Sequence, residues 1–351
     1  MAKDSNIVVR TFDVLNLQDS FFDSLRKAYR GFDDWFRRKG KEHAYVMSDA
    51  EGIQAFLYLK VEYGPITDIT PPLNTDICLK VGTFKINAHG TKLGERFVKK
   101  IFDHAIVNNI KHIYVTVFDE HWPLISILEK YGFVRHGTKT TPSGTEQVYL
   151  KDFNRMTGSI VADYPVLDAV NCNKWLLAIY PQWHTKLFPD SILRTENSSI
   201  IDDISHTNSI HKVYISWARD IGSIKNKDLI IIYRTKDSGP AWYRSVATSI
   251  CAVENIKAVN SFTTLDDFKK FTSPHSVFTD EELTKFYKKQ VGYAIKMTYN
   301  IALPKRPNMA SLVENVGLNR DNYWGFMKVD DKQFLALVEE SKVPKCGVIL
   351  P

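Results

Sequence analysis

Apolar and polar positions along this chain change period near residue 150. Before it, strand-like and helix-like patterns alternate; after it, strand-like runs dominate. NIVVRTF (Asn6 to Phe12) alternates and is rich in β-branched residues, so it predicts a strand. Leu17 to Tyr29 and Phe32 to Lys39 predict two helices, with Asn16 or Asp19 able to cap the first. Glu42 to Met47 and Ile53 to Val61 predict strands around the turn SDAEG. After the proline-bearing loop PITDITPPLN, Ile77 to Asn87 predicts a long strand. The loop HGTKLG follows, then a helix in which Phe97, Val98, Ile101, Phe102 and Ala105 repeat at helical spacing. HIYVTVF (His112 to Phe118) predicts a buried strand. Pro123 to Lys130 predicts a helix stopped by Gly132, and Gly144 to Leu150 a closing strand. One strand-helix-strand crossover among antiparallel neighbours makes an α+β unit rather than a doubly wound one.

Residues 156–206 differ. A short apolar strand, Trp175 to Ile179, leads into YPQWHTKLFPDS, which predicts an ordered connector. From Ile210 onward HKVYISW, DLIIIYR, SVATSICAVENI and AIKMTYNIAL predict strands. Leu265 to Phe271, Asp280 to Gln290 and Asp331 to Glu340 predict helices. The expected division is 1–155, the connector 156–206, and a second domain over 207–345. A length of 351 residues suits two domains.

The most informative stretch is the loop His89 to Gly94. A helix start offers unpaired backbone N–H groups and the positive end of the helix dipole, so a loop there favours a phosphate-bearing ligand. Its plain alternative is a strand-turn-helix with no ligand.

Residues 6 to 150 resemble the GNAT acyltransferase superfamily. The resemblance rests on the order of elements, the strand ICLKVGTFKIN, the loop HGTKLGERF and the stretch LISILEKYGF. It implies a mixed sheet with flanking helices and acetyl-CoA as cofactor. His89, Gly90, Thr91, Lys92, Leu93 and Gly94 would cradle the pyrophosphate, and Leu79, Lys80 and Val81 would lie along the pantetheine. The family's usual Arg or Gln is His89 here, and its middle Gly is Lys92. A family tyrosine that often protonates the leaving thiolate is replaced by Leu128. Tyr131, three residues on, and His121 or Glu120 are the candidates left for acid–base work. Their ordinary alternatives are a core tyrosine and exposed loop residues.

About Ser209 to Glu340 resembles PUA-like domains of the ASCH and EVE type. That implies a β-barrel module contacting RNA or a modified base. Ser216, Trp217, Arg219, Tyr233, Arg234, Trp242 and Arg244 are the candidates for its cleft or rim, since aromatic rings stack on bases and arginines meet phosphates. The alternative is that Trp217 and Tyr233 are core residues and the arginines are solvated. Lys285, Lys288 and Lys289 share one predicted helix; phosphate contact and a solvated face both fit them.

Composition adds bounds. The net charge of +6 permits an anionic partner without requiring one. The four cysteines are widely spaced, which predicts reduced thiols and no metal site. The absence of a long apolar run predicts no membrane span, and the start MAKDSNIVV predicts no secretory signal, hence a cytoplasmic protein. The expected function is acetyl transfer to an amine on RNA, tRNA or an aminoacyl group. An inactive binder of modified nucleic acid and a protein acetyltransferase are the alternatives. The combination of the two domains resembles acetyltransferase modules of bacterial and phage conflict systems, including toxin–antitoxin types.

Overall fold

A computed structural model describes residues 7–87, 92–191 and 209–351. The chain divides into two compact units, Met1–Arg155 and Met156–Pro351. Both mix helices with sheets, so the class is α+β.

The first unit runs β1 (Val8–Thr11), α1 (Asp23–Ala28), α2 (Phe32–Arg38), β2 (His43–Asp49), β3 (Gly52–Tyr63), β4 (Ile77–Ile86), α3 (Leu93–Val107), β5 (His112–Val117), α4 (Trp122–Lys130), β6 (Val134–Thr141) and β7 (Gly144–Asp152). Its seven strands lie in the order β1-β2-β3-β4-β5-β7-β6. Among the described residues of this unit, only β4 and β5 pair in parallel, through the crossover that contains α3. β6 is not foreseen by the hydrophobic pattern. Its sequence VRHGTKTT carries no apolar alternation because it is an edge strand and no residue of it is buried.

Asp19 does cap, but it caps a 3₁₀ turn: Phe21 N–H donates to its Oδ1 at 2.9 Å, while Oδ2 accepts from Ile53 N–H at 3.2 Å. One carboxylate thus ties the helical entry to β3. Phe12, Phe22, Phe36, Phe56 and Tyr58 form a cluster of edge-to-face and tilted ring pairs, to which α2 contributes Phe36. Each such ring contributes about 1.5–3 kcal/mol through burial.

The second unit contains α5 (Ile160–Asp163), β8 (Leu167–Asp168), β9 (Lys174–Ile179), α6 (Pro181–Leu187), β10 (His211–Ser216), β11 (Leu229–Arg234), α7 (Ala241–Arg244), β12 (Val246–Ala258), α8 (Leu265–Thr272), α9 (Asp280–Lys289), β13 (Tyr293–Ala302), α10 (Met309–Glu314), β14 (Phe326–Val329), α11 (Asp331–Glu340) and β15 (Val348–Ile349). Six strands form one mixed sheet in the order β10-β13-β12-β11-β9-β14, and β15 pairs with β8. The stretch expected as a connector therefore supplies β9, which lies parallel to β11 and antiparallel to β14 inside this unit's sheet. The sheet is open: β10 and β14 are its outer strands, and among the described residues no ladder joins them to close a barrel. Both faces are covered by apolar residues, one by Leu187, Phe188 and Phe268, the other by Leu312, Phe334 and Leu337. Strands buried on both faces lose clean alternation, which is why LIIIYR reads as one apolar run.

Candidate active site and nucleic-acid interface

In the first unit the parallel ladder between β4 and β5 is short. It joins Leu79 to Ile113, Lys80 to Tyr114 and Val81 to Val115, and then stops. Beyond that point β4 stays paired with β3: Tyr58 faces Thr83, Leu57 faces Phe84, and Phe56 faces Lys85. Gly82 is the extra residue of a bulge, because Leu59 faces Val81 while Tyr58 faces Thr83. A bulge bends the strand that carries it and increases its twist. A Cβ on Gly82 would lie 2.7 Å from Tyr58 Cδ1, so the bend closes over a position that only glycine fills. From Gly82 to Ile86, among the described residues, β4 presents one edge with no strand against it. An unpaired strand edge is a template for another amide-bearing chain.

Helix α3 begins at the carboxyl end of β4, the same end at which the strands part. Lys92 is its N-cap residue, with φ −77°, and makes no side-chain cap hydrogen bond. His89, Gly90 and Thr91 of the expected cradle lie outside the described residues. Leu93 is buried in the core. Gly94 meets α4: a Cβ there would stand 3.0 Å from Ile127 Cδ1, so its missing side chain lets two helices approach. Leu79 and Val81 are also buried, and with Lys80 they sit between two ladder partners. Backbone in a two-sided ladder is already engaged, so the open edge starts three residues later than the expected pantetheine track.

Tyr131 is fully buried beside Phe102, and its hydroxyl donates to Glu95 Oε1 at 3.0 Å, in the first turn of α3. Lys130 reaches the same oxygen at 2.5 Å. This geometry ties α4 to α3 and turns the phenol away from solvent. His121 is exposed at the start of α4, where its carbonyl accepts from Leu124 and Ile125 N–H. Leu128 is a core residue.

Two polar clusters of this sheet, one past the carboxyl end of β5 and one at the amino end of β4, are not visible in the sequence. Tyr29 donates to Glu146 Oε1 at 2.9 Å across 117 residues, and its ring lies beside Phe118, just past β5. Burial first, then the Glu146 charge and hydrogen bond, push this phenol well above its ordinary value. On the neighbouring part of the sheet, Glu62 accepts from Tyr114 at 2.5 Å and from Lys60 at 2.8 Å, with Lys80 at 3.9 Å. Burial alone would raise the Glu62 carboxyl, but those donors and the lysine charges bring it below its ordinary range. Burial lowers the Lys80 ammonium. Cys78, beneath this network, is pushed up to about 12 by burial, so it is an inert thiol rather than a nucleophile.

In the second unit, Trp217 is 40% exposed. Its indole N–H donates to the Val291 carbonyl at 2.9 Å, Phe286 meets it edge-on at 4.8 Å, and Lys289 Nζ lies 5.3 Å from its ring. It borders a cleft of about 450 Å³ with Asp220, Ile221, Gly222, Gly292 and Tyr293. Arg219 is exposed beside it, 3.7 Å from Asp220 and 5.3 Å over the Tyr323 ring. Ser216 is buried and accepts from Ala218 N–H. The other expected rim residues are elsewhere. Tyr233 is core, packed on Trp324, and Arg234 is buried next to Asp237. Arg244 holds Asp237 with two bonds, at 2.9 and 2.7 Å, and Trp242 stacks under Arg320. So of the seven expected residues only Trp217 lines the cleft, with Arg219 exposed next to its Asp220 wall and Ser216 buried one residue before Trp217.

Among the described residues no group of three or more His, Cys, Asp or Glu is placed to hold a metal, and no helix is long and apolar enough to cross a membrane.

No protein-family model matches this chain, and no curated protein matches it. Similar solved structures include two sets. One includes ASCH from Zymomonas mobilis, 12% identical, spanning 47% of this chain and 94% of that one, with a TM-score of 0.31. The other includes Arabidopsis thaliana NAA60 in complex with a bisubstrate analogue, 14% identical over 42% of this chain and 96% of that one, TM-score 0.32. It also includes a GNAT family acetyltransferase from Elizabethkingia anophelis with acetyl-CoA bound, 10% identical over 42% and 98%, TM-score 0.30.

Proposed function

We propose that residues 1–155 form an N-acyltransferase that uses acetyl-CoA. The observation that carries this reading is the parting of β4 from β5 after Val81, at the end of the sheet where α3 starts. A pantetheine arm is a short chain with two amides. It would add to the open edge from Gly82 to Ile86 as a strand adds to a sheet. The diphosphate would meet the amides at the start of α3. Lys92 would add a charge-assisted contact.

The chemistry is direct transfer. The acceptor amine attacks the thioester carbonyl, a C–N bond forms, the C–S bond breaks to release the thiolate, and the amine's proton passes to water. A backbone N–H on the open edge would stabilise the oxyanion, worth about 3 kcal/mol per donor. Thiols ionise near pH 8.5, so the leaving group needs little help. No side-chain acid is required: Tyr29, near the carboxyl end of β5, is held protonated by burial and by Glu146 and is too weak an acid to protonate a thiolate.

The acceptor class comes from the second unit. The exposed Trp217, the Lys289 ammonium over it and the nearby Arg219 suit a stacked base with its phosphate. We therefore favour RNA, or an aminoacyl group on RNA, as the substrate. Titration with acetyl-CoA tests the first part. Replacing Lys92 with Glu is expected to weaken binding about tenfold. Unchanged affinity would contradict the assignment of the diphosphate. Thiol release measured with RNA and with peptide amines separates the acceptor classes.

A further inference from the structure

A second cleft in the 156–351 unit, about 300 Å³ in volume, is lined by Glu254 and Asn255 of β12, Lys270 and Phe271 of α8, His275, and Lys296 of β13. Glu254 is the extra residue of a bulge in β12, since Val253 faces Met297 while Asn255 faces Lys296. Such a bulge re-aims the side chain it carries. Here the carboxylate is gripped at both oxygens. Oε1 accepts a short hydrogen bond from His211 Nδ1, and Oε2 lies 3.1 Å from Lys296 Nζ. A carboxylate only accepts, so Nδ1 carries the proton and Nε2 is left as the ring's other functional nitrogen. The His275 ring sits 5.2 Å from the His211 ring. Burial alone would raise the Glu254 carboxyl, but the His211 hydrogen bond and charge and then Lys296 bring it below its ordinary range, so it stays ionised and committed to its partners.

Lys296 is engaged by that carboxylate but keeps further N–H donors, and it lines the cleft with Lys270, His275, the Asn255 amide and Glu254 itself. Two ammonium groups against one carboxylate leave a net positive charge, and with the other donors they suit an anion with several acceptor oxygens. A phosphate group has three terminal oxygens to offer them, whereas a carboxylate has two. Phe271 adds an apolar wall for a flat ring. A volume at the low end of the range for small-ligand sites matches one nucleotide rather than a strand. We infer that this cleft is a phosphate-ester site for a nucleotide, separate from the Trp217 cleft. The inference does not depend on the acyltransferase reading.

The test uses the full chain and adenosine 5′-monophosphate, followed by calorimetry and by phosphorus NMR. Binding is expected, with adenosine failing to compete. Lys270 is an exposed rim residue, so Lys270→Glu should keep the fold. Reversing its charge should weaken binding about tenfold to thirtyfold, and His275→Asn should also weaken it. Trp217→Ala should leave affinity unchanged. The dinucleotide monophosphate ApA is a second arm: its binding in place of the monoester would identify a diester as the source of the phosphate. No binding of either, equal competition by adenosine, affinity unmoved by Lys270→Glu, or affinity lost in Trp217→Ala would each overturn the inference.

Discussion

Gly82→Ala is the sharpest perturbation of the cofactor cleft. The added Cβ would stand 2.7 Å from Tyr58 Cδ1 and 3.1 Å from Cε1. Ordinary contact begins at 3.4 Å, so the ring must yield by about 0.7 Å. Tyr58 has little room to do so. It is 3% exposed, with Phe12 edge-on at 5.2 Å and Trp35 at 6.0 Å. Overpacking of this kind costs about 1–3 kcal/mol. The alternative response is for β4 to straighten and lose its bulge, which would carry Thr83 and Phe84 toward β5 and narrow the opening. Both responses lower the stability of the first unit, and the second also lowers cofactor affinity. The assay pairs a urea titration with acetyl-CoA calorimetry, using Gly31→Ala as control. Gly31 has φ +80° and open space around its missing Cβ, so alanine there costs about 1–2 kcal/mol of backbone strain and touches nothing near β4. Comparable destabilisation in both variants is expected, with acetyl-CoA affinity reduced about tenfold or more only in Gly82→Ala. Wild-type affinity in Gly82→Ala would refute the idea that this bulge shapes the opening.

Other outcomes follow from single contacts. Tyr131→Phe should cost about 0.5–1.5 kcal/mol through the lost bond to Glu95 and leave kcat unchanged; a large fall in kcat at full stability would return Tyr131 to the chemistry. Tyr29→Phe should cost about 0.5–1.5 kcal/mol through the lost bond to Glu146 and leave kcat within a few fold; a hundredfold fall in kcat on the saturated enzyme would contradict departure of the thiolate without a side-chain acid. His184 is fully buried, with Nε2 bonded to Thr248 at 2.8 Å. Burial first, then the Arg234 and Arg306 charges, lower its value to about 3. The unfolded chain then binds the extra proton between about pH 6.5 and that value, so stability is full above 6.5 and declines as pH falls, by up to about 1.4 kcal/mol per unit. Urea midpoints of the second unit from pH 7 to 4 should fall along this slope and flatten in His184→Gln; a flat wild-type profile would contradict the burial argument.

Elements driven by local pattern are legible in the chain. HIYVTVF becomes β5, the helical repeat from Phe97 to Ala105 becomes the core of α3, and Ile77 onward becomes β4. Features set by distant partners are not. Where β4 leaves β5 is a property of register, and no residue type marks it except Gly82, which in the sequence reads as one glycine among many. Tyr29 and Glu146 meet only because the fold brings α1 to β7. Tyr233 and Arg234 look like an aromatic and a cation of a binding cleft, yet a strand covered on both faces takes them inside. Trp217, by contrast, lies just past the end of β10, where a large ring retains an exposed face. Gly94 shows the limit of motif reading: its position fits a phosphate loop, and its physical role includes the close approach of Ile127.

The most direct test of the central claim is a crystal structure of this chain with acetyl-CoA. In that structure the pantetheine amides are expected to pair with the backbone of β4 between Gly82 and Ile86, with the diphosphate at the start of α3 and the thioester carbonyl at the point where β4 and β5 separate. A β4 edge left bare, with the cofactor absent or bound on another surface, would contradict it.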